Sequence, residues 1–352
     1  MSSQSGLSHV YVGAARWVGA TLGGLFRQTV GQDEWELLRK GLPEPTDVQA
    51  ITVHPENPDV VFVGTQDGPY RTTNRGESWE RLAFPDEGRQ VWSILVHPRD
   101  RRILYAGTSP VGIYRSEDGG DTWRRLPVTH TDRVTMPFAC RVMRLAVDPG
   151  TPDGVYAGLE VAGAMRSLDG GETWQDCSDH LVKLAEQQHL KNCILTDNEA
   201  EGMLDAHAVC VSAAAPGSAF LAVRTGLFRS DDRGATWTDL EVGRFSSLTY
   251  GRDIRVSPQD PRTLYACLSP ASQSQNGSLY RSQDLGRTWA RFDHGVTPRT
   301  TMMGVALHPK DSDQVYAVTR RGQVFGTQDG GRTWRESLLP EEVKDTYAIA
   351  CG

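Results

Sequence analysis

One tryptophan returns seven times along this 352-residue chain, and its surroundings return with it. The fullest copies read Tyr114-Arg-Ser-Glu-Asp118-Gly-Gly-Asp-Thr-Trp123 and Met165-Arg-Ser-Leu-Asp169-Gly-Gly-Glu-Thr-Trp174. The segments ending in Trp237, Trp289 and Trp334 repeat the pattern around Asp232, Asp284 and Asp329, and a worn copy runs from Tyr70 through Asn74 to Trp79. Trp35 follows a seventh copy that has lost its aspartate and glycine. Successive tryptophans are 44, 44, 51, 63, 52 and 45 residues apart. A period of about 40–50 residues is that of a propeller blade of four short strands.

Each unit reads as such a blade. Val48–Val53 alternates and stops at a His-Pro turn, Val60–Thr65 is rich in β-branched residues, and Pro69–Thr73 and Ser78–Leu82 complete the set. The repeated aspartate suits the turn between third and fourth strands, where it accepts hydrogen bonds from nearby backbone amides while glycine takes a positive φ. Catalytic or calcium-binding roles for it are disfavoured, because a catalyst needs one site and this residue recurs around the whole ring. The tryptophan should bury its ring between neighbouring blades.

Closure is legible at the ends. The first unit opens on a second-strand pattern, His9–Gly13, and lacks a first strand; Asp345–Cys351 matches the missing piece. The sequence therefore predicts an all-β fold: a single seven-bladed β-propeller over 1–352, closed by its C-terminal strand so that no sheet edge stays open.

These motifs resemble the Asp-box (bacterial neuraminidase) repeats of sialidases, xyloglucan-degrading glycosidases, sortilin-type receptors and a photosystem II assembly factor. The resemblance runs from about Val10 to Cys351. It is specific for fold and much less so for function, since function resides in sites grafted onto folds. It implies a glycosidase-like enzyme or ligand binder, with a non-catalytic assembly scaffold holding a protein partner on the disc face as the alternative. A true sialidase is disfavoured: there are seven repeats rather than six, the opening strand has no Arg-Ile-Pro, and no tyrosine–glutamate nucleophile pair can be placed.

In sialidase-like propellers ligands bind on the face opposite the Asp boxes. Aligning the first strands brings Gln49, Trp92, Met143, His207, Arg252, Met303 and Tyr347 toward the central channel. Asp47, Gln90, Arg141, Asp205, Tyr250, Thr301 and Asp345 stand two residues earlier, nearer the mouth. Loops add Arg16, Trp17, Asp67, Arg89, His130, Arg133, Glu160, Arg224, Arg299, Arg320 and Arg321. Asp205 and His207 share a strand face, as do Tyr250 and Arg252. Asp205, His207, Tyr250 and Glu160 are the candidate catalytic set, Asp, His and Glu for acid–base work and Tyr for an anion. The competing reading is a polar plug solvating channel waters. Arg252, Arg141, Arg89, Arg299, Asp47, Trp92 and Tyr347 are the candidate ligand-binding residues, with Arg144 in the same basic group. Guanidinium forks match carboxylate or phosphate, so the expected ligand is small, polar and anionic.

The segment 175–204 breaks the repeat before blade five, and His180–Asn192 has the composition of a short amphipathic helix, a candidate lid at the mouth. Cys177, His180, His189 and Cys193 have zinc-ligand types, though a Cys-x-x-His pair is an unusual half-site; no cofactor is expected and zinc stands as the minor alternative. The six irregularly spaced cysteines and the lack of a signal-peptide pattern suggest a reducing cytoplasm. A net charge of −7 argues against nucleic-acid binding, and no apolar run is long enough for a membrane span.

Overall fold

The computed structural model describes residues 8–16, 21–131 and 133–352. Seven four-stranded antiparallel sheets form a seven-bladed propeller. The innermost strands are Thr346–Cys351, Val48–Val53, Gln90–Val96, Val142–Val147, Ala206–Val211, Tyr250–Val256 and Met302–Leu307, for blades one to seven. Blade one is closed as expected: Thr346–Cys351 pairs antiparallel with His9–Ala14, joining Val10 to Cys351 and Val12 to Ile349. The chain ends are thereby held in one sheet, and the ring has no free inner edge.

The Asp boxes build the turns ascribed to them. Asp118 accepts Thr122 N at 2.9 Å and the Thr122 hydroxyl at 2.5 Å, and the Ser116 hydroxyl donates to it at 2.8 Å. The hydroxyl of Thr122 and its backbone amide, with Ser116, hold the Asp118 carboxyl down at about 2. The same arrangement recurs at Asp169, Asp232, Asp284 and Asp329, and in amide form at Asn74. Two successive residues after the acid take positive φ. The second is always glycine, as at Gly76 and Gly120, but the first is Arg75, Arg233 or Leu285 in three boxes.

The arginine that follows Phe, Tyr or Met165 in every copy but the last, which has Gly326 there, has a role the sequence reading missed. It crosses to the next blade and donates to a carbonyl of that blade's box: Arg27 to Arg75, Arg71 to Gly119, Arg166 to Arg233 and Arg229 to Leu285. Tyr11 and Tyr105 hydroxyls make equivalent crossings to Arg75 and Gly170. These bonds satisfy carbonyls left open by the turn and set each blade against its neighbour.

Apolar clusters fill the wedges between blades. One joins Phe62, Val91, Ile94, Leu104, Tyr114 and Trp123, from blades two and three. The expectation that all seven repeat tryptophans would be buried alike needs correction. Trp79, Trp123 and Trp237 are buried, whereas Trp35, Trp174, Trp289 and Trp334 are half-exposed.

Segment 175–204 also departs from expectation. Its helix is short, α1 at Asp179–Leu184, followed by turns and a second single turn, α2 at Glu201–Leu204. Leu181, Ala185, Leu190, Met203 and Leu204 pack with Tyr156, Val209, Phe228 and Trp237 in one core cluster. The segment is a wedge between blades four and five, and its apolar face is spent on the core. A buried carboxylate pins it: Glu201 accepts backbone amides of Ile194, Leu195 and Thr196.

Candidate functional site

Every inner strand carries a register shift at the same place. It skips Gln49, Trp92, Met143, His207, Arg252, Met303 and Tyr347, in that order around the ring. A bulge adds one residue and re-aims its side chain. All seven extra residues line the channel, the seven positions that strand alignment nominated. Their side chains nearly fill it, leaving about 30 Å³ open to the centre of a water molecule. A single water needs about 10–15 Å³ by this measure, so the space admits one or two water-sized species. Anything larger must bind outside this space.

Above it, four salt bridges link inner-strand starts to turns between second and third strands. Asp47 pairs with Arg16 at 2.8 Å, Asp205 with Arg224 at 2.9 Å and Asp345 with Arg320 at 2.6 Å. In blade four the charges are exchanged, with Arg141 on the strand and Glu160 on the turn, 2.5 Å apart. Asp47 also accepts the Arg16 backbone amide, so both its oxygens are taken by the scaffold rather than presented to a ligand. Arg89 lies beside Asp86, 3.9 Å away, and Arg299 pairs with the exposed Glu336; neither lines the channel. Trp17 lies outside the described residues.

Asp205, His207, Tyr250 and Glu160 are brought together. His207 Nδ1 is 2.7 Å from the Gly251 carbonyl, which obliges that nitrogen to carry a proton. Nε2 then faces the Asp205 carboxylate at 3.3 Å and the Tyr250 hydroxyl at 3.3 Å. Side-chain exposure is 3% for both Asp205 and His207 and 19% for Glu160, so the cluster forms the floor of the mouth. Arg141 stacks 4.2 Å over the Trp92 ring, and Trp92 meets Tyr347 edge-on at 5.3 Å.

The two carboxyls are driven apart. Burial pushes Glu160 up to about 7 despite Arg141, and the nearby charge of Asp205 adds to the rise. Burial pushes Asp205 the same way, but its interactions with His207 and Arg224 outweigh it and hold the group at about 2. Near neutral pH one group can therefore hold a proton while the other stays ionised, the division of labour that general acid–base chemistry needs. Burial also raises Tyr250, keeping its hydroxyl available as a donor.

The proposed zinc ligands do not converge. Cys177 is buried against blade five, His180 Nδ1 accepts the Trp237 amide at 3.0 Å, His189 Nε2 meets Asp239 at 3.0 Å, and Cys193 is exposed. Among the described residues no group of three or more His, Cys, Asp or Glu side chains is placed to hold a metal.

Residues 69–207 and 277–350 match the Sortilin-Vps10 family model, described as sortilin, neurotensin receptor 3, and cover more than half the chain. The chain belongs to the Sortilin-Vps10 family. Residues 227–240 of this Sortilin-Vps10 propeller also match the BNR-Asp box repeat. It is similar to a xyloglucanase of Paenibacillus sp., 26% identical over 80% of this chain and 29% of the relative. Among solved structures it resembles a GH74 xyloglucanase from Xanthomonas campestris, with a TM-score of 0.62, 17% identity, and coverage of 97% of this chain and 54% of the other. It also resembles YCF48 from Cyanidioschyzon merolae, at a TM-score of 0.56, 16% identity, and coverage of 87% and 89%. The chain thus spans less than a third of the curated xyloglucanase it matches, and about half of the solved one. The solved structures bear on fold alone.

Proposed function

We propose that this propeller is a glycosidase-like domain that takes a small polar glycan, one with an acidic group, on the mouth face. Glu160 is the proton donor to the leaving oxygen and Asp205 the ionised partner. Arg224 and His207 hold that carboxylate in place, and Tyr250 bonds to His207. One observation carries this reading: two carboxyls in the same buried floor whose proton affinities are displaced in opposite directions. The xyloglucanase relative supports the class of chemistry. None of the six cysteines forms a disulfide among the described residues, which fits a reducing cytoplasm as its location.

The test is release of reducing ends from xyloglucan oligosaccharides and from oligosaccharides with acidic sugars, with binding followed by calorimetry. Glu160→Gln and Asp205→Asn should each lower turnover by about 10²–10⁴-fold, the usual weight of a positioned acid or base, while both variants still melt cooperatively. If neither glycan class is bound or cleaved by the intact protein, the glycosidase reading fails and the disc-face scaffold takes its place.

A further inference from the structure

Below the mouth the channel holds more positive charge than its own side chains can balance. Arg224, Arg16 and Arg320 each have a carboxylate partner, and Arg141 lies against Glu160. One level down, Arg144 and Arg255 share a single acid: Asp253 lies 3.4 Å from Arg144 Nη2 and 3.1 Å from Arg255 Nε. Asp253 also accepts the amides of Ile254 and Val305, which uses up its remaining lone pairs. Arg252 has nothing. It makes no hydrogen bond or ion pair among the described residues, its Nε is buried without a partner, and the residue is only 8% exposed. It occupies a bulge position that aims it into the channel, where Arg144, Arg255 and Asp253 are also lining residues. Three guanidiniums thus face one carboxylate around the space of about 30 Å³, Arg252 almost wholly buried and Arg144 and Arg255 keeping 27% and 33% of their side chains exposed.

A buried charge persists only when it is paired. Arginine cannot escape by losing its proton under ordinary conditions, so the deficit has to be met from outside the chain. The space is too small for a carboxylated sugar or a phosphate ester, and Gln49, whose Oε1 is likewise buried without a partner, adds an amide at the same level. We infer that the central channel binds one small inorganic monoanion of halide size, held by Arg252 and Arg144 beneath the His207–Tyr250 floor. The environment of Arg144 agrees: burial first, then the like charge of Arg255, brings it down to about 10, as expected for a cluster short of negative charge. A resident anion would also tie blade six to blade four across blade five, a span that Arg144 and Asp253 already bridge.

Thermal melting in sodium chloride against sodium gluconate, at matched ionic strength and without glycan, tests this independently of any catalytic reading. From zero to about 100 mM chloride the wild-type melting temperature should rise saturably by about 3 °C, as mass action requires for an ion bound only to the folded state; gluconate, too large for the channel, should give no such rise. Arg252→Met should abolish the chloride dependence, whereas Arg102→Ala, which removes an exposed arginine paired with Asp100, should keep it. Should Arg252→Met fail to fold, crystals of the intact protein grown in bromide decide the matter by anomalous scattering, with a peak expected between Arg252 and Arg144. Equal melting in the two salts, or a channel without a bromide peak, would overturn the inference.

Discussion

Replacing Glu160 by Gln should make the protein more stable in alkali while removing a proton donor. Glu160 has a folded-state value of about 7 against an ordinary 4.5, with burial as the main cause. Between those two pH values the native state holds a proton that the unfolded chain has released, so wild-type stability falls as pH rises through that window. At about 1.4 kcal/mol per pH unit, the rise from 4.5 to about 7 corresponds to about 3 kcal/mol, fully lost above the higher value. Arg141 at 2.5 Å already contributes to that figure; the site prefers the neutral acid in spite of it. Gln keeps the shape and an acceptor for Arg141 but cannot ionise. Urea melts of both proteins at pH 4.5 and 8.5 give the double difference directly. The Gln variant should gain up to about 3 kcal/mol relative to wild type on going to the higher pH, with unchanged m-values. A double difference near zero would show that Glu160 is ionised in the native protein throughout, and the acid role assigned to it would fall with it.

Three further outcomes follow from the fold. Deleting 343–352 removes the inner strand of blade one, exposes the edge of His9–Ala14 and should give an aggregating product; a monomer with an unchanged melting temperature would refute closure by that strand. Trp237→Ala, at 2% exposure, should cost about 3–5 kcal/mol in denaturant melts, and Trp289→Ala roughly half as much; equal costs would contradict the division of the tryptophans into buried and half-exposed sets. Replacing Leu181–Lys191 with a Gly/Ser loop should lower the melting temperature strongly, because Leu181, Ala185 and Leu190 belong to the core; loss of ligand binding alone, with full stability, would restore a lid.

The architecture was open to sequence reading because a repeat repeats its physics. One Asp-box turn, understood once, is understood around the ring, and the unpaired second-strand pattern at His9 demanded a partner that only Thr346–Cys351 could supply. What varies between copies was harder to see. The tryptophan looks identical in all seven units, yet its burial depends on how far neighbouring loops reach over it, as Cys177 does over Trp237 through a hydrogen bond at 3.0 Å. Segment 175–204 carries a helical pattern, but periodicity says only that an apolar face exists. Whether that face closes over a mouth or sinks between two blades is settled by the gap available, and here the gap is between blades four and five.

At the mouth, strand alignment found the level but not the partners. The seven channel residues could be nominated because the bulge falls at the same strand position in every blade and always points its extra residue inward. Charge pairing follows no such period. Asp47 and Asp345 take arginines from the preceding blade, whereas Asp205 and Arg141 find counter-charges within their own. Turn length does not decide it: Arg320, in a turn of three residues between Thr319 and Gln323, crosses blades as Arg16 does from its long connection, while Arg224, in a turn of two, stays within its own. Arg89 and Arg299 were grouped with the channel arginines on residue type, but they stand three and four residues ahead of the bulge positions Trp92 and Met303 and lie beside Asp86 and Glu336 instead. Arg252 differs from all of them because the bulge, and not a loop, directs it. A loop arginine can swing to whichever carboxylate is near; one fixed by the ladder at the axis cannot, and its unmet charge persists as a property of the ring.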